Sequence, residues 1–90
     1  MAAMIVKHRV ANFDQWKKVF DSLEPVRLEY GWIGHDVLRD AADPNVVVIV
    51  NHVKDLLGAK AYGGSEVLHA AMAKGGVQGV PEIQFYNDVA

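Results

Sequence analysis

Imidazole side chains are the groups in this sequence best suited to acid–base chemistry, because they titrate near neutral pH. The first candidate pair is His35 with Asn51. If turn geometry places Asp40 opposite Val46 in a hairpin, His35 lies opposite Asn51. The imidazole could then take a proton while the amide holds a substrate oxygen or fixes the histidine tautomer. We predict a catalytic pair here; the alternative is a structural hydrogen bond between two strands.

His8 is the second catalytic candidate. On a regular strand it faces the helix that carries Trp16. It could polarise a substrate carbonyl; the alternative is a partly buried histidine that packs its ring on Trp16. Arg39 could bind an anion, or it could form an ion pair with Asp40 at the rim, which would contribute little. The residues expected to bind a substrate are Trp16, Phe20, Tyr30, Arg39 and Tyr62.

The composition argues against several other functions. The 90 residues carry a net charge of −2 without a basic stripe, which argues against nucleic-acid binding. There is no cysteine and no zinc-type histidine spacing, so we expect no metal. The Gly-Gly pairs at 63–64 and 75–76 do not form phosphate loops, and we expect no bound cofactor. The apolar run near the N-terminus is too short for a signal or membrane segment, which favours a cytoplasmic protein.

A hairpin over residues 32–53 organises the elements that would position these groups. Its middle, AADPN, is typical of a turn. The β-branched run from Val46 to Val50 favours a strand. We predict strands over Trp32–Arg39 and Val46–Val53. The second strand is apolar on both faces, so each face needs a cover.

Two helical segments flank this hairpin. The first begins at the N-cap Asn12, should kink or split after Leu23 because of Pro25, and should end at Gly31. One face of this helix is mostly apolar and comprises Phe13, Trp16, Phe20, Leu23, Arg27 and Tyr30. The second begins at Asp55, is interrupted at the first Gly-Gly pair, restarts at Ser65 and ends at the second pair. Strands are predicted over residues 4–10 and 82–89, with residues 77–80 as a loop because Pro81 bars a helix.

The order βαββαβ predicts one α+β domain over residues 1–90 with a ferredoxin-like, four-stranded antiparallel sheet. The first and third strands lie at its centre, and both helical segments cover one face. The open face is expected to carry apolar side chains, namely Ile5, Trp32, Leu38, Val46, Val48 and Val50. We therefore predict a homodimer through this face, which closes an α+β barrel. The alternative is a monomer whose open face is made half polar by Asp36 and His52.

The segments VKHRV, NFDQW, RDAADPN, DLLGAKAY, SEVLHAAMAKGGV and PEIQF together resemble the dimeric α+β barrel superfamily, over nearly the whole chain. Within it, the chain resembles the small proteins grouped near the antibiotic biosynthesis monooxygenases. This resemblance implies a substrate cavity between helices and sheet, and a cofactor-independent oxygenation or rearrangement of an apolar or aromatic molecule. It also leaves open a non-catalytic ligand-binding or regulatory module, and a haem-handling enzyme that would use Asn12, Trp16 and a histidine.

Overall fold

The computed structural model describes residues 1–89 and shows a ferredoxin-like α+β fold. The elements are β1 (Ala2–Val10), α1 (Phe13–Ser22), α2 (Glu24–Glu29), β2 (Trp32–Arg39), β3 (Val46–Val53), α3 (Leu56–Gly63), α4 (Glu66–Lys74) and β4 (Val77–Asn87). The strands form an antiparallel sheet in the order β2-β3-β1-β4, which confirms the predicted arrangement. No helix within the described residues is long and apolar enough to cross a membrane.

The β2–β3 hairpin has the register predicted from its turn. The amide of Asp40 donates to the carbonyl of Val46, and the amide of Val46 donates to the carbonyl of Asp43. These bonds fix the start of the ladder, so His35 lies opposite Asn51. The covered face of β3 is buried at alternate residues from Val47 to Val53, as a strand with one face against helices requires.

Trp32 was expected on the open face, and this prediction is wrong. A register shift between Trp32 and Gly34 leaves Ile33 as an extra residue in β2. Such a bulge changes the side to which the preceding side chain points. Trp32 therefore turns into the core opposite Val53 and is only 5% exposed, whereas Ile33 is 50% exposed.

The helix boundaries follow the predicted caps. The side chain of Asn12 accepts from the amide of Gln15, and Asp55 and Ser65 cap α3 and α4 in the same way. Helix α1 ends before Leu23, and Pro25 stands in the first turn of α2, where its missing amide donor is tolerated. Gly31 follows α2 with φ 95°, a conformation that suits glycine.

β4 begins earlier than predicted, because residues 77–80 form strand and not loop. Val77 pairs with Val10, and a register shift opposite Lys7 and Arg9 absorbs the irregular residues near Gly79, whose φ is 71°. β4 is an edge strand, so Pro81 does not break a ladder on both sides. A proline that rules out a helix is thus compatible with an irregular edge strand.

The core lies between the sheet and the four helices. Its central side chains from the sheet are Ala2, Met4, Val6, Val10, Trp32, Val47, Ile49 and Val53. On the opposite face, Ile5, Val46, Val48 and Val50 are half-buried and Leu38 is 53% exposed. His52 and Asp36 lie on this same face, with His52 Nε2 3.3 Å from Asp36 Oδ2.

Candidate functional site

A cavity of about 50 Å³ lies between the helices and the covered face of the sheet. Side chains from all four helices line its wall, together with Leu23 between α1 and α2, and most of the lining residues are apolar. The lining residues with polar side-chain atoms are His8, Arg27, Trp32, Asn51 and Tyr62. Since one water needs roughly 10–15 Å³, the cavity holds about four water-sized groups. A larger ligand requires some of the wall to move.

His8 reaches this cavity from β1. Its ring is 6% exposed and lies edge-on to Trp16, with the ring centroids 5.5 Å apart. Burial lowers the pKa of the His8 imidazole, so the ring is neutral at pH 7. Its Nδ1 is buried and has no hydrogen-bond partner within residues 1–89. The ring can therefore accept or donate one proton at the cavity wall, in addition to packing on Trp16.

Arg27 reaches the same cavity from α2 and is 3% exposed. Its Nη1 donates to the carbonyl of Phe20 at 2.7 Å, and its guanidinium carbon lies 3.8 Å from the centre of the Phe20 ring. Its Nη2 is buried and makes no well-formed hydrogen bond in the described structure, although the Tyr62 hydroxyl lies near the guanidinium and interacts with it. Burial lowers the pKa of this guanidinium, but an arginine remains charged at neutral pH. The cavity wall thus holds a cation with a free N–H group.

Tyr62 of α3 lies beside Arg27. Its ring packs edge-on against Trp32 with centroids 4.9 Å apart. Burial raises the pKa of the Tyr62 phenol, and the nearby Arg27 guanidinium opposes part of that rise. The hydroxyl is therefore protonated at neutral pH and can donate a hydrogen bond to a ligand.

Asn51 lines the cavity, but both ends of its amide already have partners. Trp32 Nε1 donates to Asn51 Oδ1 at 2.8 Å, and Asn51 Nδ2 donates to the carbonyl of Met4 at 3.0 Å. An amide oxygen has a second lone pair and an amide nitrogen a second N–H, so Asn51 retains some capacity to bind. Its present bonds tie β2 to β3 and β3 to β1 across the covered face.

His35 lies opposite Asn51 in the ladder but does not line the cavity. Its ring is edge-on to Phe20, with centroids 4.9 Å apart. It borders a smaller hollow of about 30 Å³ that it shares with Arg27 and Trp32. The structure therefore brings His8, and not His35, to the main cavity.

The remaining predicted binding residues divide between the cavity and its surroundings. Trp16, Phe20 and Tyr62 line it. Tyr30 does not line it and packs behind Tyr62, with the ring centroids 5.2 Å apart. Arg39 lies at the exposed end of the hairpin, with its guanidinium carbon 4.0 Å from the centre of the Phe13 ring. Its predicted partner Asp40 instead accepts from backbone amides of the turn.

Among residues 1–89 no side chains form a metal site, and the cavity as it stands does not fit a haem. Within residues 1–89, no group of three or more His, Cys, Asp or Glu side chains lies close enough to hold a metal ion. A porphyrin is far larger than the cavity. Asn12, proposed for a haem trio, uses its side-chain oxygen to cap α1.

Arg27 is the site residue that sequence reasoning missed. It falls on the mostly apolar helical face that it shares with Trp16 and Phe20. A single arginine among apolar residues at helical spacing is the signal that could have identified it, because an arginine is almost never fully buried without a partner. Together, Arg27, Tyr62 and His8 offer two donors and one imidazole nitrogen at the edge of an aromatic cavity.

Solved structures with this fold include proteins from the group that the sequence resembles. No protein-family model and no curated protein sequence matches the chain. A structure described as an antibiotic biosynthesis monooxygenase aligns over 100% of both chains at 16% identity, with a TM-score of 0.73. SnoaB, a cofactor-independent oxygenase from Streptomyces nogalater, aligns over 99% of this chain and 93% of its own at 14% identity, with a TM-score of 0.76. A conserved protein from Methanosarcina mazei aligns over 99% and 94% at 18% identity, with a TM-score of 0.75. These likenesses establish the fold.

Proposed function

We propose that this chain is a small-molecule enzyme of the antibiotic biosynthesis monooxygenase-like type, which acts on an apolar or aromatic substrate without a bound cofactor. The observation that carries the proposal is the aromatic cavity at which His8 Nδ1 has no partner in the described structure. A buried polar atom without a partner is rare, and at a cavity wall it suits a ligand. The structural neighbour SnoaB is described as a cofactor-independent oxygenase, which agrees with this assignment.

In this mechanism, the neutral His8 removes a proton from an acidic C–H group of the substrate and leaves a carbanion stabilised as an enolate. Molecular oxygen is the oxidant. It accepts electrons from the carbanion, a C–O bond forms, and the resulting peroxide takes a proton to give a hydroperoxide. Without oxygen, the same enolate is reprotonated at another atom, which is a rearrangement. A lowered pKa keeps His8 in its basic form at neutral pH.

His35 and Asn51 have a supporting place in this proposal. Asn51 fixes Trp32 in the cavity wall through the 2.8 Å hydrogen bond, and its remaining N–H could hold the enolate oxygen. The His35 ring packs edge-on against Phe20 and borders only the smaller hollow, so it would act on the substrate indirectly. We therefore expect His8 substitutions to reduce turnover more than His35 substitutions.

Exchange of an acidic C–H group tests the proton-transfer step without requiring the natural substrate. The probe is phenylacetone in deuterated buffer, with loss of the benzylic proton signal followed by NMR. The wild-type protein should accelerate exchange above the buffer rate, and His8→Gln should reduce that catalysed rate at least about 100-fold. His69→Gln, which removes an exposed imidazole on α4, is the matched control and should have no effect.

The exchange result also separates the enzyme from a non-catalytic binding module. If the probe binds, as judged by shifts of the Trp16 and Trp32 indole signals, but no exchange is catalysed, the cavity serves binding alone. Equal exchange rates for the wild type and His8→Gln would refute His8 as the base. Oxygen uptake by the wild type in the same buffer then distinguishes oxygenation from rearrangement.

A homodimer through the open sheet face is part of this proposal. Val48, Val50 and Ile5 form an apolar strip on that face, flanked by the exposed Leu38. Such a strip favours association, and a second copy of the face would complete the barrel. Light scattering should give twice the chain mass of 9.9 kDa, and Leu38→Asp should lower it toward one chain. Leu57→Asp, on the exposed side of α3, should leave the mass unchanged; a monomeric wild type at micromolar concentration would contradict the dimer.

A further inference from the structure

We propose that the cavity binds an anionic ligand of the small monocarboxylate class, whose carboxylate accepts a hydrogen bond from Arg27 Nη2. This inference rests on the proposed function for the identity of the site and adds the chemical class of its ligand. Arg27 is 3% exposed, lines the cavity and presents a buried N–H group without a partner in residues 1–89. A second donor, the Tyr62 hydroxyl, lies beside it.

The charge of Arg27 is what calls for an anion. Among the described residues, the ion pairs are Arg9 with Asp43, Lys17 with Asp21 and His52 with Asp36, and none includes Arg27. Removing a guanidinium from water is unfavourable unless a counter-charge and hydrogen bonds compensate. The Phe20 ring and the Phe20 carbonyl compensate in part, and the Tyr62 hydroxyl and the charges of Glu24 and Asp21 add to this stabilisation. None of the carboxylates in residues 1–89 pairs directly with the guanidinium, so an anion in the cavity would be its first direct counter-charge.

The shape and chemistry of the cavity favour a carboxylate over other anions. A planar carboxylate matches the fork of guanidinium N–H groups and can accept from a phenol at the same time. The rest of the wall is apolar and aromatic, so it suits a ligand whose body is hydrocarbon. Acetate has four non-hydrogen atoms and fits a cavity of about 50 Å³ as it stands. A longer body would displace Leu68 and Met72, which are only half-buried on a helix with no fully buried residue in the described structure.

Paired probes of equal shape test for the charge. Acetate and acetamide differ in charge at almost constant size, and benzoate and benzamide extend the comparison to a ring. Binding is followed by titration of the ¹⁵N-labelled protein, using the Arg27 Nε–H signal and the indole signals of Trp16 and Trp32. Each carboxylate should bind at least about tenfold more tightly than its amide, because a hydrogen bond to a charged group exceeds a neutral one.

Two arginines of this chain provide a matched pair of variants. Arg27 and Arg39 each lie over a phenylalanine ring, at 3.8 Å and 4.0 Å, but only Arg27 lines the cavity. Arg27→Met should weaken carboxylate binding at least about tenfold and amide binding clearly less, because the neutral amide loses a hydrogen bond but no charge pairing. Arg39→Met removes the same charge from the exposed hairpin and should change neither. Circular dichroism establishes that both variants are folded; if Arg27→Met is not, Arg27→Lys serves, and should retain part of the carboxylate preference.

Three results would overturn the inference. They are equal affinity for acetate and acetamide, equal carboxylate affinity in the wild type and Arg27→Met, and chloride competing as strongly as acetate at equal concentration. These are binding measurements, so they do not depend on proton exchange. Carboxylate binding without catalysed exchange would support this inference and contradict the proposed enzyme. Catalysed exchange of phenylacetone without a preference for carboxylates would support the proposed enzyme and contradict this inference.

Discussion

Trp32→Phe tests whether the inward-facing Trp32 stabilises the core through the hydrogen bond of its indole N–H. The substitution removes the donor to Asn51 Oδ1, which is 2.8 Å away and buried. Leaving a buried acceptor unpaired costs roughly 1–3 kcal/mol, beyond the loss of the smaller ring's contacts. In a chain of this length, about 2 kcal/mol corresponds to a drop in Tm of roughly 8–16 °C.

The matched control is Trp16→Phe. Trp16 and Trp32 are each 5% exposed, so the two substitutions remove similar buried area. No hydrogen bond from the Trp16 indole is present within residues 1–89, whereas the Trp32 indole donates one. Urea unfolding at a fixed protein concentration should therefore give a larger loss of unfolding free energy for Trp32→Phe, by about 1–2 kcal/mol.

A double-mutant cycle of Trp32→Phe with Asn51→Ala isolates the interaction free energy between these two side chains. The two losses should be less than additive by about 1 kcal/mol, because either single substitution already removes the bond. If Trp32→Phe loses no more stability than Trp16→Phe, and the cycle shows no coupling, the hydrogen bond does not stabilise this core and the reasoning fails.

Three further predictions concern His8, Gly58 and Asp55. The pKa of His8 is lowered on folding, so the unfolded chain binds more protons than the folded chain just below pH 6.5. The free energy of unfolding should therefore fall as the pH drops through that region. His8→Gln should reduce the difference between the free energies of unfolding measured in urea at pH 7.5 and 5.5. The other titratable groups lining its cavity, Arg27 and Tyr62, do not change charge in that window. Gly58→Ala would place a Cβ 2.3 Å from the carbonyl oxygen of Tyr30 and should lower Tm by an amount corresponding to about 1–3 kcal/mol. Gly34→Ala is the control, because a Cβ at that position meets nothing within 4 Å, and it should not show this loss. Asp55→Ala removes the side-chain cap on the Gly58 amide and should lower the free energy of unfolding by about 1 kcal/mol in urea titration; no change would show that solvent replaces the cap.

The order of strands and helices could be predicted because local signals and the global fold agree. The turn chemistry around Pro44 fixed the register of the hairpin, and the caps at Asn12, Asp55 and Ser65 fixed the helix starts. Alternation then assigned the covered faces of β1 and β3. Each of these signals acts over a few residues, which is why one sequence suffices to identify it.

The site was less predictable because its geometry depends on irregularities. The bulge at Ile33 has no strong local signature in the sequence. It turns Trp32 to the covered side of the sheet, where the indole N–H donates to Asn51. The cavity at His8 and the burial of Arg27 arise from packing between four helices and the sheet. Periodicity assigns a residue to a face, but it does not show whether the space above that face is filled.

The extra residue in β2 also means that this strand can lose one residue without changing the pairing of the rest of the strand. Without Ile33, Trp32 would move into the next regular position, which points to the same side, and the ladder from His35 onward would be unchanged. Relatives with one residue fewer here could therefore keep an inward-facing indole. Sequence alignments of such proteins should place a gap at this point, and a gap anywhere later in the strand would exchange its two faces.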